Sequence, residues 1–131
     1  RIMAACASIL ETQGKGTLAA IGSVAGDRGR QSNYFYGSTK SALATFTEGL
    51  CHHFATSPAI KVVLLKPGMT DTPMTADMPK GPLFSSAEKV GTLAWKAIQK
   101  GKPVAYLPSW WWVIMTLIQH LPRFIFHKTK L

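Results

Sequence analysis

Three short, nearly continuous apolar runs, Thr17 to Ile21, Ile60 to Leu65 and Val104 to Leu107, alternate with segments of helical periodicity. Runs of this kind suit strands of a parallel sheet, which are covered on both faces and so have no polar side to present. Before the first run, Ile2, Cys6, Ile9 and Leu10 recur at helical spacing, and Gly14 supplies a stop. Ser32 or Asn33 caps a second helix, expected from about Tyr34 to Thr56, with Ala42, Leu43, Phe46, Leu50 and Phe54 as its apolar stripe and Pro58 beyond its end. Ser85-Ser86-Ala87-Glu88 reads as a capping box for a third helix, which buries Val90, Leu93, Ala94 and Ile98 and stops at Gly101 and Pro103. Helix and strand alternating three times imply an α/β fold with right-handed crossovers between parallel strands. The 131 residues suffice for one packed domain.

The chemistry concentrates between the first two runs. Tyr36 and Lys40 stand four apart and so share one face of the second helix. An ammonium close to a phenol favours its ionised form, and an unperturbed phenol, with a pKa of about 10, is otherwise a poor proton donor near neutral pH. Ser23 lies thirteen residues before Tyr36, directly after the first strand-like run, where its hydroxyl can reach the same point. Ser23, Tyr36 and Lys40 together form a set able to polarise a carbonyl and protonate it. Taken alone, a Tyr-x-x-x-Lys pair also fits a solvated helix surface, and Ser23 also fits a side chain that merely satisfies turn backbone.

The surroundings narrow the choice. Gly22-Ser23-Val24-Ala25-Gly26 precedes the pair and Lys66-Pro67-Gly68-Met69-Thr70-Asp71-Thr72 follows it. In this respect the chain, up to about Tyr106, resembles the C-terminal half of the short-chain dehydrogenase/reductase family, in which a strand ending in Ser, Tyr-x-x-x-Lys on a long helix, and a strand leading into Pro-Gly-x-x-x-Thr follow in this order. The resemblance implies part of a doubly wound Rossmann-type sheet. It also implies an oxidoreductase that uses NAD(P)H to reduce a ketone or oxidise an alcohol. Tyr36 would be the proton donor, Ser23 a donor to the carbonyl oxygen, and Lys40 the partner of both the phenol and the nicotinamide ribose. Pro67, Gly68 and Met69 would line the nicotinamide, and Thr72 would meet its carboxamide or the pyrophosphate. The loop from Lys66 to Leu83 would close over nicotinamide and substrate. Family members often form dimers or tetramers, so a homo-oligomer is expected.

A narrower resemblance lies in Ser23 to Arg28, Arg30 to Asn33 and Leu121-Pro122-Arg123-Phe124-Ile125-Phe126. These stretches are similar to polyprenyl-phosphate ketosugar reductases, which reduce the 2-keto intermediate in making decaprenylphosphoryl arabinose, and imply a lipid-linked keto substrate. Asp27, Arg28 and Arg30 themselves are expected in a solvated loop.

The chain opens on Arg1, and Gly14-Lys15-Gly16 is no dinucleotide fingerprint, because a strand and not a helix follows it. Residues 1–107 are therefore expected to be a partial Rossmann-type catalytic half-domain. By the family pattern, the phosphate-binding glycines, the residue that chooses NAD or NADP and a further catalytic Asn would lie upstream. A fragment that acts only as a membrane-surface or subunit-interaction module is the alternative.

Residues 108–131 form an apolar, basic tail. From Pro103 to Gln119 there is no charged residue, and Trp110, Trp111, Trp112, Val113, Ile114, Met115, Leu117 and Ile118 make the stretch strongly apolar. The net charge is +9, and after Glu88 come Lys89, Lys96, Lys100, Lys102, Arg123, Lys128 and Lys130 with no carboxylate. This asymmetry points to an anionic partner. With no zinc-ligand spacing or RNA-binding aromatic motif, nucleic acid gives way to a membrane surface. The apolar run is short of the roughly 20 residues of a spanning helix, which favours a helix lying in the interface; packing on the protein or on a partner subunit is the other reading. Cys6 and Cys51 show no metal or redox spacing and suit buried, reduced thiols in a cytoplasmic protein, peripheral at the inner face of the membrane. His52, His53, His120 and His127 form no ligand set, so no metal is expected.

Overall fold

The computed structural model describes residues 1–129; Lys130, named above among the tail cations, lies outside the described residues with Leu131. Helix α1 (Ile2–Gln13) closes on Gly14, whose left-handed backbone (φ 67°) lets its N–H turn back to the carbonyls of Leu10 and Glu11. Strand β1 (Gly16–Ile21) follows, then a 3-10 turn (Val24–Gly26), helix α2 (Tyr34–His53) and strand β2 (Ile60–Pro67). Two short strands, β3 (Thr70–Asp71) and β4 (Ser85–Ser86), lead into helix α3 (Ala87–Lys100) and strand β5 (Val104–Leu107). Helices α4 (Trp111–His120) and α5 (Arg123–Phe126) end the described chain.

The main sheet has the order β1-β2-β5 and is parallel throughout. Alternation along β2 divides the core. Ile60 and Val62 pack with Ala7, Leu10 and Phe54 under α1 and α2, whereas Val63 and Leu65 pack with Val90, Ala97, Ala105 and Leu107 under α3. Both faces of the central strand are covered, which is why its sequence is apolar at successive positions. A third cluster, Val24, Trp111 and Met115, sits at the carboxyl ends of the strands.

Several expectations are corrected here. Phe46 is 44% exposed and Ala42 is also exposed; Thr47, fully buried, takes the central place on the packed face of α2 and satisfies its hydroxyl on the Leu43 carbonyl at 2.7 Å. Asn33 occupies the N-cap of α2 without a side-chain bond. The cap of α3 is Ser86, whose Oγ accepts the Lys89 N–H, so the register lies one residue beyond that of a box ending on Glu88. Ser85 is instead buried in β4, drawn into the parallel pairing with Thr70. The loop after β2 is accordingly not free from Lys66 to Leu83: β3 is tethered to β4, and Thr75 Oγ accepts the Thr72 N–H and donates to the Thr70 carbonyl. Cys6 and Cys51 are free but only half-buried.

The expectation of a solvated loop is overturned at Asp27 and Arg28, and Arg30 is half-buried. The Asp27 side chain is 1% exposed, bonded to Lys66 Nζ at 2.5 Å and to the Tyr106 hydroxyl at 2.7 Å. Arg28 donates to the carbonyls of Ile118 and Leu121 and lies 3.8 Å from the Phe126 ring centroid. The tail folds back over this loop, and a contact so distant in sequence leaves no local pattern.

The tail joins the body by one side only. Trp111 and Met115, 5% and 1% exposed, pack against Val24 with Met69 and Tyr106 beside them. Trp112, Val113, Leu117, Phe124 and Ile125 remain exposed on the other side. Among the described residues no helix is long and apolar enough to cross a membrane.

Candidate active site

Strand β1 delivers Ser23 to the carboxyl edge of the sheet. The ladder continues one residue past β1, with the Gly22 N–H bonded to the Leu65 carbonyl at 2.7 Å. A Cβ on Gly22 would lie 3.0 Å from that carbonyl oxygen, so the close approach of the two strand ends favours glycine there. Ser23 is extended and caps the 3-10 turn, its Oγ accepting the Ala25 N–H at 3.1 Å. The dull role of Ser23, satisfying turn backbone, is therefore real; the hydroxyl hydrogen stays available to a further acceptor.

Helix α2 brings the other two residues to this turn. The Gly37 α-carbon faces the Ala25 carbonyl, and Gly26 packs on the backbone of Lys40 and Ser41; a Cβ at either glycine would lie within 3.0 Å of those atoms. The turn that begins at Ser23 thus lies against the first turns of the helix that carries Tyr36 and Lys40. Tyr36 is 38% exposed, open to an incoming molecule. Lys40 Nζ donates to the Ile21 carbonyl at 2.8 Å and sits 5.5 Å from the centre of the Tyr36 ring. One of its three hydrogens fixes the ammonium at the end of β1, and two remain for a ligand.

Pro67, Gly68 and Met69 leave the end of the neighbouring strand. The Gly68 N–H is used by the Leu107 carbonyl at 3.0 Å, and the Met69 carbonyl accepts the Ser85 N–H at 3.0 Å. The Met69 N–H has no partner among the described residues. A half-buried turn with one free backbone donor fits the carboxamide of a nicotinamide. Thr72 is half-buried at the start of a second 3-10 turn (Pro73–Thr75), and its N–H is already taken by Thr75 Oγ.

Sequence reasoning missed the polar cluster beneath this edge. Asp27 ends the turn that Ser23 begins, Lys66 directly precedes Pro67-Gly68, and Tyr106 pairs with Lys66 across β2 and β5. Burial first, then the hydrogen bond to Asp27 and its negative charge, hold the Tyr106 phenol well above its ordinary range. Only a Lys in the otherwise apolar end of β2 hinted at such a pair. A pocket of about 560 Å³ opens beside it, lined by Lys66, Lys102, Val104, Tyr106, Ser109 and Trp112. Trp111 covers Gly68, and its Nε1 is buried without a partner among the described residues.

Residues 1–82 match the family model described as short chain dehydrogenase. An uncharacterized oxidoreductase of Mycobacterium tuberculosis is 32% identical over 122 residues, covering 93% of this chain and 49% of the relative. Another, from Streptomyces coelicolor, is 29% identical over 125 residues, covering 94% of this chain and 48% of the relative. The chain thus spans about half the length of the curated relatives it matches. Among solved structures, a short chain dehydrogenase from Burkholderia cenocepacia in complex with NADP superposes with a TM-score of 0.80 at 20% identity, covering 98% of this chain and 52% of that one. The bulky-bulky ketone specific alcohol dehydrogenase of Comamonas testosteroni gives 0.68 at 22% identity, covering 92% and 49%. At these identities the structural likeness speaks for the fold, a portion of a Rossmann-type α/β sheet.

Proposed function

The chain belongs to the short-chain dehydrogenase family, and on that premise we propose that its protein is an NAD(P)H-dependent reductase of ketones. A nicotinamide held beside these residues would supply or accept the hydride at the substrate carbon. Ser23 donates its hydroxyl hydrogen to the carbonyl oxygen, an interaction that strengthens as negative charge gathers there. Tyr36 passes its phenolic proton to that oxygen, so that ketone, hydride and proton together give the alcohol, and its exposure lets solvent restore the proton. Lys40, held at the Ile21 carbonyl, places its ammonium beside the Tyr36 ring, and its remaining hydrogens would bind the nicotinamide ribose. The Met69 N–H would hold the carboxamide, with the Pro67-Gly68 turn lining the ring and Thr72 at the edge of the same site.

The observation that carries this reading is the position of Lys40: one ammonium, anchored to the last residue of β1, stands over Tyr36 on a helix packed against the Ser23 turn. The test is made on the intact protein with NADH and NADPH and a panel of ketones. Tyr36→Phe is expected to lower turnover by about 10²–10⁴-fold, the range for losing a positioned proton donor, while cofactor fluorescence still reports binding. Undiminished turnover in Tyr36→Phe overturns the assignment.

The substrate we infer is lipid-linked. Trp112, Val113, Leu117, Phe124 and Ile125 form an exposed apolar surface, with Lys102, Arg123 and Lys128 nearby in sequence and no carboxylate after Glu88. Such a surface suits the headgroup region of an anionic membrane. The narrower likeness to polyprenyl-phosphate ketosugar reductases, carried by residues 23–28, 30–33 and 121–126, agrees with a keto substrate on an anionic lipid carrier.

A further inference from the structure

Ser23 and Asp27 stand at the two ends of one 3-10 turn, and Lys66 stands one residue before Pro67-Gly68-Met69. The contact between Asp27 and Lys66 therefore joins the turn of the proposed carbonyl-binding hydroxyl to the turn proposed to hold the nicotinamide. It is the one direct side-chain bond between these two segments among the described residues. The carboxylate is nearly fully buried, and both of its oxygens are used: Oδ1 by Lys66 Nζ at 2.5 Å and Oδ2 by the Tyr106 hydroxyl at 2.7 Å. Lys66 Nζ also sits 5.2 Å from the centre of the Tyr106 ring. Tyr106 belongs to β5, so one carboxylate ties the turn that follows β1 to the ends of β2 and β5.

We propose that Asp27, Lys66 and Tyr106 are positioning residues for the reaction: their buried network sets the distance between the Ser23 turn and the nicotinamide-binding turn. The inference rests on the active-site reading above and adds residues that the reading does not use. A buried ion pair is weak as a source of stability, because desolvation offsets most of its attraction, but losing one partner leaves a buried charge that the neighbouring backbone must move to accommodate. The backbone that moves is the Ser23 turn or the Pro67-Gly68 turn. A displacement of about 1 Å between groups that must meet one substrate can cost about a hundredfold in rate. The network does not touch the reacting atoms; it acts through Ser23 and through the grip on the cofactor.

The test uses the intact protein, with NADH and NADPH fluorescence to measure cofactor affinity and ketone reduction to measure kcat, both well below each variant's unfolding temperature. Lys66→Met and Asp27→Asn are each expected to weaken cofactor binding and lower kcat by about tenfold or more. Lys66→Arg, which keeps the charge, is expected to restore most of both. The double variant Asp27→Asn/Lys66→Met is expected to be no worse than the poorer single one, since the pair acts as a unit. Tyr106→Phe keeps the ring and the fold and removes one hydrogen bond; a loss of about threefold in kcat is expected from it, and it keeps the test open if Lys66→Met fails to fold. Unchanged cofactor affinity and kcat in folded variants, with only a lowered Tm, overturns the inference. Failure of the active-site reading looks different: Tyr36→Phe then retains turnover, while the cofactor-affinity measurements on Lys66→Met and Asp27→Asn still decide whether the tie positions the cofactor turn.

Discussion

The indole of Trp111 occupies the space where a side chain on Gly68 would begin: a Cβ built at Gly68 would lie 1.9 Å from Trp111 Nε1. Gly68 has an ordinary backbone conformation, so its small size, rather than its conformational freedom, is what this position uses. Through this contact, and through Met69 packed beside Trp111 and Met115, the tail reaches the proposed cofactor turn.

Gly68→Ala therefore forces Trp111 or the turn to shift. Overpacking of this kind costs about 1–3 kcal/mol, readable as a lower midpoint in denaturant. Trp111→Leu should remove much of the penalty in the Gly68→Ala background even though it destabilises the parent, because the two residues share one space. Additive costs in the double variant would show that the contact is not tight.

Arg28 performs two functions at once for the tail. Its guanidinium donates to the carbonyls of Ile118 and Leu121 at the C-terminal end of α4, where unpaired carbonyls and the helix dipole favour a cation, and it stacks on Phe126. Arg28→Met should cost about 1–3 kcal/mol, as expected for hydrogen bonds from a charged group. Limited proteolysis should then cut earlier and within residues 108–129, with α1 to β5 still protected. An unchanged cleavage pattern would mean that Trp111 and Met115 hold the tail without it.

Tyr106 gives a pH signature. Its folded-state ionisation is pushed upward by burial and by Asp27, whereas in the unfolded chain it returns to the ordinary range near 10. The neutral phenol is the form the fold stabilises. Its contribution is complete below about pH 10 and declines as pH rises beyond the unfolded value, because the unfolded chain then releases a proton that the folded one retains. Denaturant midpoints measured from pH 8 upward should fall more steeply in the parent than in Tyr106→Phe. Parallel curves would exclude Tyr106 as the source.

The fold was legible in the sequence where structure is local. The three apolar runs become β1, β2 and β5, and the last matches residue for residue, Val104 to Leu107. The glycine stops at Gly14 and Gly101 both take left-handed backbone. That the turn after β1 carrying Ser23 meets the helix carrying Tyr36 and Lys40 was legible, because the spacing reflects one strand end and one helix face. Asp27, Lys66 and Tyr106 were not, since their meeting depends on the register of β2 and β5 and on the path of the turn after β1, and no short pattern encodes it. Asp27 and Arg28 looked solvated because charged residues in a Gly-rich loop usually are; here the tail covers them. The parallel β3–β4 pair was equally hidden, being two residues long on each side.

The outer face of the tail supplies the last prediction. Val113, Leu117 and Phe124 are exposed at 51%, 65% and 70% while the opposite side of α4 holds Trp111 and Met115 in the core. Substitutions on the outer face should therefore spare the fold. Leu117→Ser and Phe124→Ser each remove apolar surface worth about 1.5–3 kcal/mol when fully buried, and a partly inserted side chain realises a fraction of that. In flotation with vesicles containing phosphatidylglycerol, the intact protein should associate, and each substitution should weaken binding several-fold without altering the circular dichroism. Raising salt should weaken it further through screening of Arg123 and Lys128, whose attraction to lipid acts only over a Debye length of about 8–10 Å at physiological ionic strength. Equal binding to neutral and anionic vesicles would remove the electrostatic part of the proposal. No binding to either would assign this face to contact with protein.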